Sequence, residues 1–272
     1  MFVDTVKGGI LLYDQRAKLL SIWKRLRRWI TTGNQTILVV GPGGAGKSTL
    51  GKILSNGPGV YEPPALYKES LTTETLSLRG DVAATLVVAP GQALRRRRTW
   101  PALLRDLTNG QSCGMINVVA YGYHSIEGEL SHKHLPAFKQ RMTAKKFMEG
   151  YTAEKQNLEL EVLRELQPHL ISAPGKIWML TIVTKQDLWW TDRLAVRRHY
   201  ESGSYRELID QIEQQRGSER FVHEYLSASL VMQNFTSGQN ELLAKTVSGY
   251  DDVLQTANLQ LVFDAVGRLA GV

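Results

Sequence analysis

A lysine and two hydroxyls end the glycine-rich run Gly41-Pro42-Gly43-Gly44-Ala45-Gly46-Lys47-Ser48-Thr49, and residues of these types in this order suit phosphate. Glycines let a backbone turn tightly enough for successive N–H groups to converge on an anion. The run follows an apolar, β-branched stretch (Thr36 to Val40) and precedes a helix-forming one (Thr49 to Leu54). A helix N-terminus placed there adds partial positive charge to the nest. The string satisfies GxxxxGK[ST], the P-loop pattern, in which Lys47 reaches the β- and γ-phosphates and Ser48 offers its hydroxyl to Mg²⁺. Gly41, Gly43, Gly44, Ala45, Gly46 and Thr49 complete the nucleotide-binding set. The plain alternative is a glycine turn, and the full pattern in its strand-to-helix setting argues against it.

A second cluster of chemistry-bearing residues lies far downstream. Lys176 to Thr184 reads as a buried strand entered through Pro174-Gly175, and Thr184-Lys185-Gln186-Asp187 stands at its C-terminal end. Open α/β sheets place ligands at that end. These four residues resemble the [NT]KxD guanine-base motif of GTPases. The resemblance implies that the Asp187 carboxylate accepts hydrogen bonds from the N1–H and N2–H₂ of guanine, which adenine lacks, while the Lys185 stem lies along the base. Bonds of that kind to a charged acceptor contribute about 1.5–3 kcal/mol each, enough to choose a base.

A third element falls in the same order. Phe221 to Leu226 reads as a last core strand and ends in Ser227-Ala228-Ser229, which resembles the loop whose backbone contacts the guanine O6. Together the three motifs make the segment from about 35 to 230 resemble the Ras-like P-loop GTPase superfamily, without fixing a subfamily. The resemblance implies an α/β fold: a mainly parallel sheet with helices on both faces, here with insertions. It further implies GTP or GDP and Mg²⁺ as ligands, and a slow or partner-activated molecular switch.

The departures from that pattern are specific. The family ends its next strand with DxxG. Here Val82 to Val88 runs into Ala89-Pro90-Gly91-Gln92, so Val88 stands where a magnesium-organising aspartate belongs. Gly91 can still offer its N–H to a γ-phosphate, and Gln92 holds the position of the water-orienting glutamine, the catalytic partner of Lys47. The switch threonine that would cap Mg²⁺ is Thr72 or Thr73, with Thr73 carried forward as metal ligand beside Ser48. Two rivals follow: a non-hydrolysing pseudo-GTPase that serves as an interaction module, and an ATP-using P-loop ATPase or kinase. The absence of a strand-end aspartate near Val88 and the presence of Asp187 weigh against the second.

These residues need a scaffold, and the remaining sequence supplies one. Leu76 to Val82 carries a hairpin signal around Arg79-Gly80-Asp81. Arg95 to Arg98 reads as a solvated cationic segment, with an arginine finger as its sharper alternative, and Pro101 suits the start of the helix after it. Gly114 to Ala120 reads as a central strand, Ala137 to Gln167 as helix stopping at Pro168, and Tyr205 to Gln215 as another helix. Leu230 to Phe235 and Glu241 to Val247 flank an extra hairpin turn. Val253 to Leu269 closes the chain as a helix. Insertions are expected around residues 123–150. His124, His132 and His134 have no acidic or cysteine neighbours at ligand spacing and read as loop histidines.

Composition bounds the rest. The 272 residues, 43% hydrophobic and 22% charged, suit one large α/β domain (35–272) behind an N-terminal segment (1–34). No apolar run approaches the ~20 residues of a membrane-spanning helix. The start lacks a secretory signal pattern. The single cysteine, Cys113, excludes an internal disulfide framework and suits a cytoplasmic setting. The net charge is +7, and residues 16–30 form a basic amphipathic pattern. We expect that helix to pack on the core rather than lie on a membrane. No nucleic-acid module is recognisable; the expected partners are guanine nucleotide, a protein effector or activator, and a second copy of the chain.

Overall fold

The computed structural model describes residues 35–56, 72–77, 84–109, 112–126, 131–238 and 241–270. Eight strands are present among them: β1 (Gln35–Val40), β2 (Glu74–Ser77), β3 (Ala84–Val88), β4 (Ser112–Val119), β5 (Ile177–Val183), β6 (Phe221–Ser227), β7 (Phe235–Ser237) and β8 (Glu241–Ala244). The first six form one sheet in the order β2-β3-β1-β4-β5-β6. Only β2 runs antiparallel to its neighbour, β3. Chain direction reverses its march across the sheet at β1, with β3 on one side and β4 on the other. That is a topological switch point, where such sheets hold ligands beyond the strand C-termini.

Both faces of the sheet are covered, which is why its strands read as unbroken apolar runs. Period-2 alternation sends Ile37, Val39, Ile116, Val118, Leu180 and Ile182 to one face, beneath α1 (Lys47–Asn56) and α7 (Asp252–Leu269). Leu38, Val40, Met115, Val119, Met179 and Val183 point to the other, beneath α2 (Ala93–Thr108), α3 (Ala144–Ser172), α5 (Arg193–Glu201) and α6 (Ser204–Arg216). A one-turn helix, α4 (Gln186–Trp189), follows β5 directly. A smaller apolar cluster joins the β7–β8 hairpin (Phe235, Leu243) to Phe147, Met148 and Tyr151 of α3, with Ile126 and Leu188 between them. The sheet order, the single antiparallel strand and the P-loop after β1 define an α/β P-loop domain with Ras-like topology.

Several sequence expectations need correcting. Helix α3 runs through Pro168 to Ser172, and α2 begins at Ala93, so Pro101 sits inside it. Each proline removes one i→i−4 bond, but both lie on exposed faces, as do Arg97 and Arg164, whose carbonyls lose the partner. Helix α5 had no counterpart in the sequence reading. The extra hairpin is real, but its first strand is Phe235–Ser237, displaced from Leu230–Phe235 into the expected turn, and it pairs with the shorter Glu241–Ala244. The basic segment 16–30, the loop around Arg79 to Asp81 and the Cys113 side chain fall outside what is described. No helix among the described residues is long and apolar enough to cross a membrane.

Candidate functional site

Because β1, β3, β4, β5 and β6 are parallel, their C-terminal loops meet at one edge of the sheet. The loop after β1 is the glycine run. Gly41, Gly44 and Gly46 have φ of 134°, 73° and 104°, conformations that side-chain-bearing residues rarely adopt. Lys47, the first residue of α1, is buried and curls back so that Nζ donates to the Pro42 carbonyl at 2.7 Å. The ammonium is thereby held against the glycine run and close to Gly91. Ser48 donates through Oγ to Glu74 Oε1 at 3.1 Å, a contact that brings a carboxylate from β2 to the loop. Thr73 immediately precedes that strand.

The loop after β3 closes on the first. Gly91 lies so near it that an added Cβ would stand 2.4 Å from both Gly43 N and Lys47 Nζ. Only glycine fits there. Its carbonyl accepts from Arg96 Nη1 at 2.9 Å, and the same guanidinium grips Glu165 of α3 with Nε and Nη2, both at 3.1 Å. Arg96 is thus 3% exposed, which corrects the solvated-segment reading at that position. Arg97 and Arg98 are exposed as expected. Arg95 donates to Gln92 Oε1 at 3.3 Å. Val88 is 1% exposed and packs in the core under α1.

The loop after β4 is fastened from within. Glu159, midway along α3, is completely buried. Its Oε1 accepts from Ala120 N, Gly122 N and His124 Nε2 at 2.9, 3.1 and 2.8 Å, and Oε2 from Tyr200 OH at 2.5 Å. Burial pushes the Glu159 carboxyl up, yet the donors from His124, Tyr200 and Ala120 outweigh it and hold it below the usual carboxylate range. Burial likewise lowers the His124 pKa, more than Glu159 raises it. His124 Nδ1 is buried with no hydrogen-bond partner, which fits a neutral ring donating from Nε2 alone. The reward is positional: Ser125 N donates to Gly44 O at 3.0 Å, so the loop buttresses the glycine run. His124 is thus a loop histidine as expected, but a buried one with an acidic partner on α3. His132 also is buried and meets Glu241 Oε2 at 2.7 Å.

The loops after β5 and β6 complete the edge. Thr184 Oγ1 donates to Ala45 O at 2.6 Å, tying the second motif to the first. Lys185 takes a left-handed conformation, φ 57°, and directs Nζ to Ser125 Oγ at 2.8 Å and over the Phe235 ring at 5.3 Å. Burial pulls its pKa down to about 7. Asp187 is 1% exposed. Its Oδ1 accepts from Ser229 Oγ at 2.5 Å, and Oδ2 from Gln233 N at 3.3 Å and Thr246 Oγ1 at 3.2 Å. Burial raises its pKa, against the pull of those donors. Ser227 Oγ accepts from Gln186 Nε2 at 2.9 Å, and Ala228 N donates to Val183 O at 3.0 Å. Trp189 is buried beside the base motif and donates to Thr184 O at 2.9 Å.

All the motif residues thus share one edge, from Gly41 to Ser229. What sequence reasoning missed are Glu74, Ser125, Glu159 and Thr246, and the burial of Arg96. One had a signal. Glu159, Val162, Leu163 and Leu166 follow i, i+3, i+4, i+7 spacing, so the glutamate sits in the apolar stripe of α3. Among the described residues, no group of three or more His, Cys, Asp or Glu side chains could hold a metal.

No family model matches the sequence, and no curated protein matches it. Among solved structures, the chain is similar to the signal recognition particle receptor SRb–GDP from Chaetomium thermophilum, with 16% identity, a TM-score of 0.44, and 86% of this chain and 96% of that one covered. It is also similar to Toc33 from Arabidopsis thaliana, at 14% identity and TM-score 0.46, covering 95% and 92%. A third is an ADP-ribosylation-factor-like GTP-binding protein, small COPII coat GTPase SAR1, from Encephalitozoon cuniculi in complex with GDP. It shares 15% identity, TM-score 0.42, covering 100% and 96%.

Proposed function

We propose that this chain binds GTP and GDP together with Mg²⁺ and works as a slow or partner-activated GTPase switch. The observation that carries the reading is the Thr184–Ala45 hydrogen bond of 2.6 Å. It straps a strand-end carboxylate able to select guanine to a nest able to hold phosphate. In the bound state the backbone N–H groups of Gly43 to Thr49 and the Lys47 ammonium neutralise the phosphates. Lys47 exchanges its bond to Pro42 O for phosphate oxygen. Asp187 accepts from the guanine edge, with Ser227, Ala228 and Ser229 lining the base, and Lys185 packs along it. Gly91 offers its N–H to the γ-phosphate and Gln92 orients water, so that turnover rests on positioning and charge.

The donors at the phosphate end fit a hard cation: a Ser48 hydroxyl and a Glu74 carboxylate, both oxygen, at 3.1 Å from one another. Bound there with phosphate, Mg²⁺ would supply charge neutralisation, with Thr73 as the switch ligand. The loops around Thr73 and Gln92 then order on the γ-phosphate. The proposed setting is cytoplasmic, with a protein effector or activator as partner and a second copy of the chain as an alternative one.

A non-hydrolysing nucleotide-binding module is the second reading, favoured by the apolar Val88 at the end of β3. Phosphate release measured without any partner separates the two. For base choice, we would titrate GTP, GDP and ATP into the full chain and its Asp187→Asn variant. Loss of one charge-assisted bond should weaken guanine nucleotide binding about tenfold to a hundredfold and leave ATP binding unchanged. Preference for ATP in the parent, or an unaltered guanine preference in the variant, would sink the assignment.

A further inference from the structure

We infer that Glu74 supplies the carboxylate of the cation site at the P-loop, reaching in from β2 to the place that Val88 leaves apolar on β3. The inference rests on the guanine-nucleotide reading above and adds a residue to it.

Register is the first support. Glu74 and Val88 are directly paired across the antiparallel β2–β3 ladder, and residues so paired project to the same face with Cβ atoms about 4.5–5.5 Å apart. A carboxylate at 74 therefore serves nearly the same volume as one at 88, displaced by one strand. Val88 cannot compete for it: its side chain is committed to the core under α1.

Packing of α1 is the second. Two residues along β2, Leu76 shares the face of Glu74, and a Cβ on Gly51 would lie 2.7 Å from Leu76 Cδ1 and 3.1 Å from Val88 Cγ2. The bare helix surface at Gly51 lets α1 settle closely on the β2–β3 pair. Ser48 lies three residues before Gly51, hence on the same helix face one turn earlier, and faces the start of β2, where Glu74 begins the strand. The Ser48 Oγ–Glu74 Oε1 contact of 3.1 Å follows from that seating.

Donor chemistry is the third. A hydroxyl and a carboxylate are the hard oxygen ligands that Mg²⁺ takes, and two adjacent ligands of an octahedron with 2.0–2.1 Å bonds lie about 2.9 Å apart. The observed separation is close to that edge. With no richer cluster among the described residues, two protein oxygens alone would hold the ion weakly. Phosphate oxygens and water must complete the shell, so cation and nucleotide binding should be thermodynamically coupled through Glu74.

The test is that coupling. GDP is titrated by calorimetry into the full chain and into Glu74→Gln and Glu74→Asp variants, with excess Mg²⁺ and again in EDTA. Bound Mn²⁺ is followed by electron paramagnetic resonance. In the parent, Mg²⁺ should tighten GDP binding at least tenfold. Glu74→Gln should abolish most of that gain, and release Mn²⁺, while GDP affinity in EDTA stays at or above the parent's, because without the cation the Glu74 carboxylate repels the phosphates. Glu74→Asp should keep part of the gain. Melting temperatures taken in EDTA identify any variant that has merely lost its fold; Glu74→Gln retains an oxygen to accept from Ser48. Full Mg²⁺ coupling in Glu74→Gln overturns the role of Glu74 and leaves guanine binding intact, as does a parent that binds GDP equally with and without Mg²⁺. A parent that binds no guanine nucleotide in either buffer overturns both.

Discussion

Arg96 shows how one side chain can be placed for two tasks. Its fork binds Glu165 on α3 and the Gly91 carbonyl at the lip of the nest. The ion pair itself is half in water, Glu165 being 43% exposed, and such pairs contribute little. The buried carbonyl matters more: removing its donor leaves a desolvated acceptor unsatisfied, at a cost of about 1–3 kcal/mol. Arg96→Ala should therefore lower unfolding free energy by about 2 kcal/mol in urea titrations. Arg96→Lys should rescue little, because an ammonium cannot serve both acceptors in that geometry. Arg97→Ala and Arg98→Ala, exposed substitutions, should stay within about 0.5 kcal/mol. Equal effects at 96, 97 and 98 would return the whole run to solvent. The same loop makes a second prediction: Gly91→Ala forces a methyl to within 2.4 Å of Gly43 N, and the P-loop backbone has little room to yield. It should cost about 1–3 kcal/mol as overpacking does, read in the same titrations.

The β7–β8 hairpin and the loops that flank it act as one element over the second motif. Gln233 precedes β7 and Thr246 follows β8, and both donate to Asp187 Oδ2, while Val247 N donates to Asp187 O at 2.7 Å. A guanine edge that uses the same carboxylate must share or replace those donors. Thr246→Val keeps the shape and deletes one donor, so guanine nucleotide affinity should rise a few-fold, while hydrogen exchange in residues 230–247 of the parent should change when GDP binds. An affinity that falls, with exchange unmoved, would mean the base never meets this element. How much of this was legible in the sequence depended on range. The P-loop and the Thr184–Asp187 motif are written within a few consecutive residues, and strands buried on both faces announce themselves as Ile, Leu and Val runs. Glu74, Arg96 and Thr246 work through partners 26, 69 and 59 residues away, separations at which no local pattern operates. Pro168 misled as a helix stop and Pro101 as a helix start, because a helix can run through a proline where the carbonyl that loses its partner faces water.

At the scale of the whole molecule, acid should be the condition that releases the site. Glu159 fastens the β4 loop, hence Gly44, to α3 by holding four donors with a buried charge, and His124 is its neutral neighbour. The folded pKa of His124 is below its ordinary 6.5, with burial the main cause, so between those values the unfolded chain binds the extra proton. Stability from that residue is complete above about pH 6.5 and is lost as pH falls toward its folded pKa. His223, brought down to about 3 by burial and then by Arg206, loses stability over the same range. Glu159, held below 4.5 by its donors despite burial, adds a further loss below that pH. Each histidine can contribute a slope of up to about 1.4 kcal/mol per pH unit. Unfolding free energy should therefore drop measurably from pH 7 to 5.5 and faster still below 4.5. Glu159→Gln should cost about 1.5–3 kcal/mol at pH 7, as the charged acceptor of four buried hydrogen bonds becomes a neutral amide, and should weaken nucleotide binding, since Ser125 would no longer brace Gly44. Urea titrations at pH 7.0, 6.0 and 5.5 read the slope directly. A flat profile in the parent would mean that His124 and His223 keep ordinary pKa values in the fold, and would remove the case for a neutral imidazole beside an ionised glutamate.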